Sequence, residues 1–569
     1  MSIDINKRLS ENLSQVLDIP AEKCYSLIET PPDTGFGDFA IPCFAFTKES
    51  RKNPAQIASD FERLFSKKAK NNEVIQKVKS NGPYLNMFVN KVYIVREVVR
   101  HVFKSRFPSL HGTGSGKTVI IDYSSPNIAK PFGVGHLRST VIGSSLYKIF
   151  SFLGYKVIGI NHLGDWGTQF GKLITAYKRW GSTEQLKSDP VKYLFNLYVR
   201  FHSEAENTPE LEDEARSWFS RLENNDEEAG RLWEQFRDLS VKEFKKIYGR
   251  LGVEFDYYTG ESFYSSVLED TIKSMKEIGI TSESDGALIV PLGDDMQPAL
   301  LRKSDDATLY LTRDIAAALY RHRTFHFDLA LYVVGSPQAL HFRQLFSVLG
   351  KMGLGWNENC HHVPFGHVRF AEGSMSTRKG NIVFLEEVLD KASELALSII
   401  EEKNPGLNHK NEVAEAVGVS SVIFNSLKNY RIKDVAFVWD EVLNFNGETG
   451  PYLQYTHARI NSLLKKFKEI HGELRFEEGL SFGAEGYGIV LLVNNFENVV
   501  IHASKEFEPS IISRYLLDLA SQFNSFYNTH RIITDDHSLS LSRALVVYGV
   551  KMVLKKGLEL LGLKAVEEM

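Results

Sequence analysis

The chain has 569 residues, of which 43% are hydrophobic and 24% charged, and its formal net charge is −4. The composition is typical of a soluble globular protein, and the length predicts about three or four domains. The weak negative charge argues against nonspecific coating of nucleic acid but permits a local basic groove. The three cysteines lie far apart without a CxxC pair, which disfavours a zinc ribbon or disulfide framework and fits a reducing compartment. The sequence contains no apolar run of about 18 residues, so it does not predict a membrane span.

The first block, residues 1–92, is predicted to be a small α/β domain. It opens with an amphipathic helix, continues through the turn "DTGFGDFAIP" and the helix "NPAQIASDFERLF", and ends in the strand "GPYLNMFVN". A connector, residues 93–117, continues the helical pattern "KVYIVREVVRHVF", which begins at residue 91, and contains a Gly-rich loop.

The second block, residues 118–410, alternates short apolar strands with helices, which indicates an α/β domain with a parallel sheet. Its strands are predicted at "TVIIDYS", "YKVIGIN", "LALYVVG" and "HHVPFGHV". A charged, aromatic-rich stretch at about 165–300 reads as helices inserted into this domain. The third block, residues 411–569, is predicted to be helical to the end.

One stretch imitates a phosphate-binding loop. "HGTGSGKT", residues 111–118, approaches the pattern GxxxxGK[ST], but His111 replaces the first glycine. A true P-loop follows a strand and opens a helix, whereas here a strand follows the motif. We therefore interpret it as a Gly/Ser linker that enters the second block.

A different strand-to-helix turn carries the candidate chemistry. "SSPNIAKPFGVGHLRST", residues 124–140, follows the first strand of the second block and runs into a helix. His136 near that helix N-terminus could donate to a phosphate oxygen, and Gly135 would let a base or ribose approach the backbone. The alternative is a helix-capping turn with a solvated histidine. A cationic loop, "GSMSTRKGN", residues 373–381, could close on a polyphosphate or could simply be solvated.

Together the two segments resemble the paired signature motifs of class I aminoacyl-tRNA synthetases, and the wider sequence resembles the arginyl-tRNA synthetase family, bacterial members above all. The matching sequence motifs, in chain order, are "SSPNIAKPFGVGHLRST", "NHLGDWGTQFGKL", "KSDDATLYLTRDIAAALYR", "MSTRKGNIVFLEEVL" and "GETGPYLQYTHARINSL". The resemblance covers nearly the whole chain. It implies a Rossmann-type parallel-sheet catalytic domain with a helical insertion, a small α/β N-terminal domain that contacts tRNA, and an all-helical C-terminal anticodon-binding domain.

The resemblance also implies the residues of the site. A guanidinium needs a carboxylate of matching geometry, and Asp314 matches that ligand; Tyr310, four residues earlier, falls on the same face if the segment is helical. The implied arginine-binding residues are Asp122, Ser125, Asn127, His136, Tyr310, Asp314 and Gln338. The implied ATP-binding residues are Pro126, Lys130, Gly133, Gly135, His136, Met375 and Ser376. The implied catalytic residues are Lys130, His136, Arg378 and Lys379.

Within these sets Ser125 and Asn127 would hold the ammonium and carboxylate of the amino acid, Asp122 could balance the ammonium, and Gln338 follows a strand at the carboxyl edge of the sheet. The motifs also depart from the family pattern. Gly133 stands where the first motif usually has histidine, and the loop has Thr377 at the position of its usual lysine. Lys130 or Lys379 would then supply the cation for the leaving pyrophosphate.

The reaction implied is activation of L-arginine by Mg²⁺–ATP, followed by transfer to tRNA(Arg), without a structural metal in the protein. The expected partners are the tRNA, arginine and ATP, with no membrane, in a cytoplasmic monomer. Basic and aromatic helices such as "LKNYRIK" and "VLKKGLELLGLK" suit unpaired anticodon bases. Two other interpretations stay open. A small nucleotidyltransferase would share the nucleotide motif but would not need the helical third block, and a tRNA-binding paralogue would lack catalysis.

Overall fold

The computed structural model describes residues 3–69, 72–105, 112–304, 310–370 and 383–569. The chain forms two compact units. The first unit comprises residues 1–108, 459–498 and 518–554, and the second comprises residues 109–458, 499–517 and 555–569.

The N-terminal part of the first unit is a three-stranded antiparallel sheet, in the order β1-β3-β2, with helices around it. The Asp4 side chain caps α1 by accepting from the amide of Lys7, and Asn53 caps α4, which begins with a proline. The elements are α1 Ile5–Leu17, α2 Ala21–Leu27, β1 Phe39–Pro42, α3 Thr47–Ser50, α4 Pro54–Lys68, β2 Ile75–Asn81, β3 Tyr84–Val89 and α5 Lys91–Ser105.

Helical segments from the C-terminal region complete the first unit. The side chain of Asn494 bonds both the amide and the carbonyl of Ile3, each at 2.9 Å, and Arg100 on α5 forms an ion pair with Glu478. Segments from both ends of the chain therefore share one unit, which sequence blocks alone do not indicate. The C-terminal helices are α18 Gly450–His471, α19 Tyr487–Lys505, α20 Ser510–Thr529 and α21 His537–Leu560.

A five-stranded sheet, ordered β11-β10-β4-β5-β6 with parallel neighbours, is the centre of the second unit. Helices α6, α13 and α14 follow or precede its strands, as in doubly wound folds. The elements are β4 Thr118–Asp122, α6 Leu137–Phe152, β5 Lys156–Asn161, β6 Tyr257–Tyr258, α13 Tyr310–Phe325, β10 Leu329–Tyr332, α14 Ala339–Lys351 and β11 Cys360–His362. The predicted parallel sheet is confirmed, and β4 begins at Thr118, the last residue of the P-loop-like stretch.

The predicted inserted helices are present between β5 and β6, but the interval of about 165–300 is not only helical. It also contributes β6 to the main sheet and most of a separate antiparallel sheet, β7-β8-β9. These short strands escaped sequence analysis because each spans only two to four residues. The elements are α7 Thr168–Trp180, α8 Thr183–Ser188, α9 Pro190–Ala205, α10 Glu210–Glu223, α11 Glu227–Leu251, α12 Leu268–Ile278, β7 Ser282–Ser284, β8 Ala287–Val290 and β9 Ala299–Arg302.

The rest of the second unit is helical apart from a two-stranded parallel pair, β12 with β13, so the third block is not helical throughout. The C-terminal tail is fixed by buried polar side chains: Gln454 donates to the carbonyl of Lys564 at 2.8 Å, and His457 bonds that of Val566 at 2.8 Å. The elements are β12 Val368–Phe370, α15 Leu385–Lys403, α16 Lys410–Leu427, β13 Val435–Phe437 and α17 Trp439–Val442.

Candidate active site

The predicted site residues that the structure describes lie around the carboxyl edge of the parallel sheet. Strands β10, β4, β5 and β6 are neighbours and point the same way, so the segments that follow them meet at one edge. Ligands of open parallel sheets bind at this edge. Asp122 ends β4, the segment after it carries the predicted residues from Ser125 to His136, and the segment after β10 carries Gln338.

The loop after β4 has a strained backbone. Ser124, Ser125 and Ala129 have positive φ values of 72°, 48° and 58°, a conformation that costs non-glycine residues about 1–3 kcal/mol each. Buried hydrogen bonds hold the loop: the Ser124 amide donates to Ser139 at 2.8 Å, and the Ala129 amide donates to Ser240 at 2.9 Å. The surrounding structure therefore fixes a loop shape that the sequence alone does not favour.

Asp122, the last residue of β4, has partners within the protein for both of its carboxylate oxygens. One of its oxygens pairs with Arg321 at 2.7 Å, and the other accepts from the Ser125 hydroxyl at 3.0 Å. Both members of the ion pair are buried, Arg321 at 1% exposure and Asp122 at 6%. A buried guanidinium thus already balances the charge of Asp122, and its role toward the ammonium of the amino acid stays a prediction.

Asn127 and Pro126 contact the segment after β5. The Pro126 carbonyl accepts from the amide of Gly164 at 3.1 Å, and the Gly164 carbonyl accepts from Ile128 at 3.2 Å. A Cβ on Gly164 would lie 1.9 Å from the Asn127 side-chain oxygen, so a larger residue at position 164 would displace the Asn127 side chain. The Asn127 side chain is only partly buried, which suits a group that binds a ligand.

His136 ends a 3₁₀ turn, Val134–His136, at the start of α6. Burial lowers the pKa of His136 to about 4, and the charge of Lys130 acts in the same direction. The ring is therefore neutral near pH 7 and can donate a hydrogen bond without carrying charge. Gly135 is exposed, with no atom within 4 Å of the position a Cβ would take, and Gly133 pairs with Phe384 in an isolated bridge.

Lys130 lies in the same loop, and its ammonium is 5.6 Å from the ring centroid of Tyr198 on α9. This contact ties the candidate cation to the inserted helices. The predicted residues Met375, Ser376, Arg378 and Lys379 lie outside the described residues, as does the loop position Thr377.

Tyr310 and Asp314 lie on one helix, α13, as their spacing predicts. Asp314 accepts from Nε2 of His341 at 2.6 Å through one oxygen, and Nε2 of His162 lies 3.6 Å from the other. Burial opposes ionisation, but the hydrogen bond from His341 and the nearby charges of His162 and Arg321 hold the pKa of Asp314 below its usual value. The site therefore contains an ionised carboxylate beside the partly exposed Tyr310.

A second carboxyl group, Glu261, escaped sequence analysis. It follows β6, its side chain is 13% exposed, and it lies 4.0 Å from Arg313. Burial raises the pKa of Glu261 to about 8, and the charges of Asp314 and Asp165 add to the effect. The motif "YYTGESFY" gave no periodic or charge pattern to single it out, because its role depends on β6 joining the main sheet.

Gln338 ends a 3₁₀ turn, Ser336–Gln338, between β10 and α14, and it is exposed. Its position after a central strand is as predicted. The structure thus brings Ser125, Asn127, His136, Tyr310, Asp314 and Gln338 to elements at one edge of the sheet, with Glu261 among them.

A parallel sheet with a histidine-bearing turn at its first helix, inserted helices and a helical C-terminal region defines the class I aminoacyl-tRNA synthetases. The family model for tRNA synthetases class I (R), catalytic domain, matches residues 94–439. The models for the arginyl tRNA synthetase N terminal domain and the DALR anticodon binding domain match residues 4–89 and 453–569. The chain belongs to the arginyl-tRNA synthetase family.

Individual relatives agree with this assignment. The arginine–tRNA ligases of Halothermothrix orenii and Clostridium acetobutylicum are 48% and 46% identical to the chain, with both chains covered in full. The arginyl-tRNA synthetase of Thermus thermophilus has a similar structure, with a TM-score of 0.81 at 25% identity over 99% of this chain and 100% of its own.

Proposed function

We propose that the protein is an arginine–tRNA ligase that activates L-arginine with ATP and transfers it to the 3′ terminal adenosine of tRNA(Arg). The observation that carries the proposal is that two carboxyl groups, Asp314 and Glu261, lie close enough for their charges to interact, at the sheet edge that the segment with His136 also follows. A guanidinium is planar, always charged and suited to more than one carboxylate at once.

Asp314 would bind the guanidinium as an ionised carboxylate, and Glu261 would become ionised when the cation arrives. Tyr310 lies close enough for the charge of Glu261 to affect it: partial burial and that charge raise the pKa of the phenol. A neutral phenol with 56% of the residue exposed can pack against a flat guanidinium.

The amino-acid end of arginine would lie toward the segments that follow β4 and β10. Ser125 and Asn127, from the loop after β4, and Gln338, after β10, are polar and at least partly exposed. We assign them to the ammonium and carboxylate groups. Asp122 acts through Ser125, whose hydroxyl it orients, and not as a direct ligand.

ATP would bind over the turn that begins α6. Pro126 and Gly133 shape the loop, Gly135 leaves room for the nucleotide, and neutral His136 donates to a phosphate oxygen. Met375 and Ser376 would complete the nucleotide contacts. Lys130, with Arg378 and Lys379, would stabilise the charge that develops on the leaving group.

Neither the activation of arginine nor its transfer to tRNA requires a nucleophile from the protein. The arginine carboxylate attacks the α-phosphorus of Mg²⁺–ATP; a P–O bond to arginine forms, and the bond to pyrophosphate breaks. A hydroxyl of the terminal ribose then attacks the acyl carbon, so that an ester forms, AMP leaves and the hydroxyl proton passes to solvent. The protein contributes positioning and charge stabilisation. Mg²⁺ enters with ATP, as part of the substrate.

The tRNA would also contact the helical C-terminal region. A cavity of about 310 Å³ in the second unit is lined by Phe445, Tyr455, Asn404 and Lys403 together with the C-terminal Met569. Tyr455 is exposed, and the two amide-bearing residues of the lining, Asn404 and Asn446, can bond a base edge. An aromatic cavity with amides and a cation suits an unpaired nucleobase.

The experiment is ATP–pyrophosphate exchange with each of the twenty amino acids, with and without tRNA(Arg), followed by aminoacylation. We expect exchange with arginine alone among them and formation of arginyl-tRNA. Binding of tRNA without exchange under any condition would instead support a tRNA-binding paralogue. Exchange that depends on a non-amino-acid acceptor would support a nucleotidyltransferase.

A further inference from the structure

A short segment after β5, residues 162–165, contacts the elements that carry both guanidinium carboxyl groups. The first and last residues of this segment are His162 and Asp165, and neither is among the predicted binding residues. The segment lies between the loop that carries Glu261 and the helix that carries Asp314.

The loop around Glu261 is held by this segment through four hydrogen bonds. The amide of Glu261 donates to the carbonyl of Leu163 at 3.0 Å. The amide and hydroxyl of Ser262 donate to the carboxylate of Asp165 at 2.8 and 2.7 Å, and Nδ1 of His162 bonds the carbonyl of Thr259 at 3.0 Å. These bonds therefore fix Glu261 itself, the residue after it and the residue two positions before it.

Close packing reinforces these bonds. Asp165 is 3% exposed, and a Cβ on Gly260 would lie 2.5 Å from its carboxylate, so a larger residue at position 260 would displace that carboxylate. The Asp165 carbonyl accepts from the indole of Trp233 on α11 at 2.8 Å. A shift of Asp165 would therefore move the backbone of the residues next to Glu261.

His162 links that loop to the second carboxyl group. A carbonyl only accepts, so Nδ1 carries the hydrogen in the bond to Thr259. The other ring nitrogen, Nε2, lies 3.6 Å from Oδ1 of Asp314, and the ring packs on Tyr264 with centroids 5.7 Å apart. One rigid imidazole thus touches both the backbone before Glu261 and the carboxylate of Asp314.

We propose that His162 and Asp165 are positioning residues that set the spacing between Glu261 and Asp314 and thereby determine the preference for a guanidinium over a compact cation. The proposal rests on the proposed function, in which those two carboxyl groups bind arginine. A guanidinium presents a planar fork of donors, whereas the ammonium of lysine is a point charge that accepts many geometries. Two carboxyl groups at a fixed spacing should bind the guanidinium more tightly than the ammonium of lysine. Carboxyl groups whose spacing varies should not discriminate between the two cations.

The test uses the full chain with tRNA(Arg) present and compares Asp165→Asn, His162→Asn and His162→Gln. His162→Asn retains an amide that can reach the Thr259 carbonyl but has no atom in place of Nε2. His162→Gln places its amide toward Asp314 and gives up the contact with Thr259. The measured quantities are the KM for arginine, the KM for ATP, and the ratio of kcat/KM for arginine to that for lysine.

We expect each variant to raise the KM for arginine about tenfold and to reduce the arginine-to-lysine ratio by a similar factor, because small displacements of positioned groups are costly. The KM for ATP should stay within about twofold, since the nucleotide contacts are elsewhere. Matched controls are Asp256→Asn, whose exposed carboxylate bonds the Gly159 amide at 2.7 Å, and His361→Asn on the edge strand β11. Neither control should change the ratio.

A double-mutant cycle separates positioning from general damage. In a Glu261→Gln background, Asp165→Asn should have little further effect on the KM for arginine, because the residue acts through Glu261. Equal effects in both backgrounds, or an unchanged arginine-to-lysine ratio, would overturn the proposal. If Asp314→Asn and Glu261→Gln themselves leave arginine binding intact, the proposed function of these carboxyl groups is wrong, which is a distinguishable result.

Discussion

Arg321 and Asp122 form an ion pair of 2.7 Å, buried at the end of the first strand of the parallel sheet. The same carboxylate orients Ser125, which lies in the strained loop after that strand. A residue that the family pattern places near the ammonium of arginine thus has a structural partner on α13, the helix that also carries Asp314.

Asp122→Asn should therefore act mainly on stability. Removing one partner of a buried pair leaves an uncompensated charge and costs about 3–5 kcal/mol. We expect a lower denaturation midpoint in urea, and partial recovery when Arg321→Met is added. A variant of normal stability whose only defect is a raised KM for arginine would return Asp122 to the list of direct ligands.

Asp314→Asn should lose arginine recognition while the fold survives. The guanidinium would then lack its ionised partner, and His341 would face an amide, so we expect a loss of arginine affinity of at least about a hundredfold, on the scale of a broken buried ion pair. Arginine affinity is measured by calorimetry and the fold by circular dichroism. Unchanged affinity would show that another group binds the guanidinium.

Arginine binding should release a proton from Glu261. The carboxyl is largely protonated below its pKa of about 8, and a bound guanidinium favours the ionised form. Arginine affinity should therefore rise with pH up to about 8 and level off above it. Folded protein keeps the proton on Glu261 at pH values where the unfolded chain has lost it. The free energy of unfolding should therefore fall as the pH rises towards the pKa of Glu261. Calorimetry in buffers of different ionisation enthalpy counts the proton, and Glu261→Gln should abolish its release.

Gly135→Ala tests the nucleotide site separately from the fold. No atom of a residue other than the chain neighbours of Gly135 lies within 4 Å of the added methyl group, so stability should be unchanged. If ATP covers this position, the methyl group should raise the KM for ATP about tenfold or more, as expected for lost close approach. Arginine binding in the absence of ATP serves as the control. An unaffected KM for ATP would place the nucleotide elsewhere.

Lys130→Ala should slow adenylate formation about a hundredfold, which corresponds to about 2.7 kcal/mol, with little change in arginine affinity. This expectation has two grounds. The loop of residues 373–381 has Thr377 where the family usually has lysine, and Lys130 lies close enough to His136 for its charge to act on the ring. Single-turnover rates of Lys130→Ala and Lys379→Ala are compared. A larger loss for Lys379→Ala would assign the role to the loop.

Local pattern predicted the elements that are long or strongly periodic. The strands β4, β5 and β10 were found because buried parallel strands are continuous apolar runs, and the helix that carries Tyr310 and Asp314 was indicated by their spacing. Strand β6 has only two residues, which are too few to show such a pattern. It pairs with the last two residues of β5, so its place in the sheet depends on that tertiary contact.

The sequence by itself determined the family, the parallel sheet and the turn that bears His136, since these depend on ordered motifs and on local periodicity. Only the tertiary structure decided that Asp122 pairs with Arg321, that Glu261 and Asp314 are close enough for their charges to interact, and that residues 162–165 contact the loop of the one and the carboxylate of the other. The physical reason is that charge state and spacing depend on burial and on partners up to about two hundred residues away, as with Asp122 and Arg321.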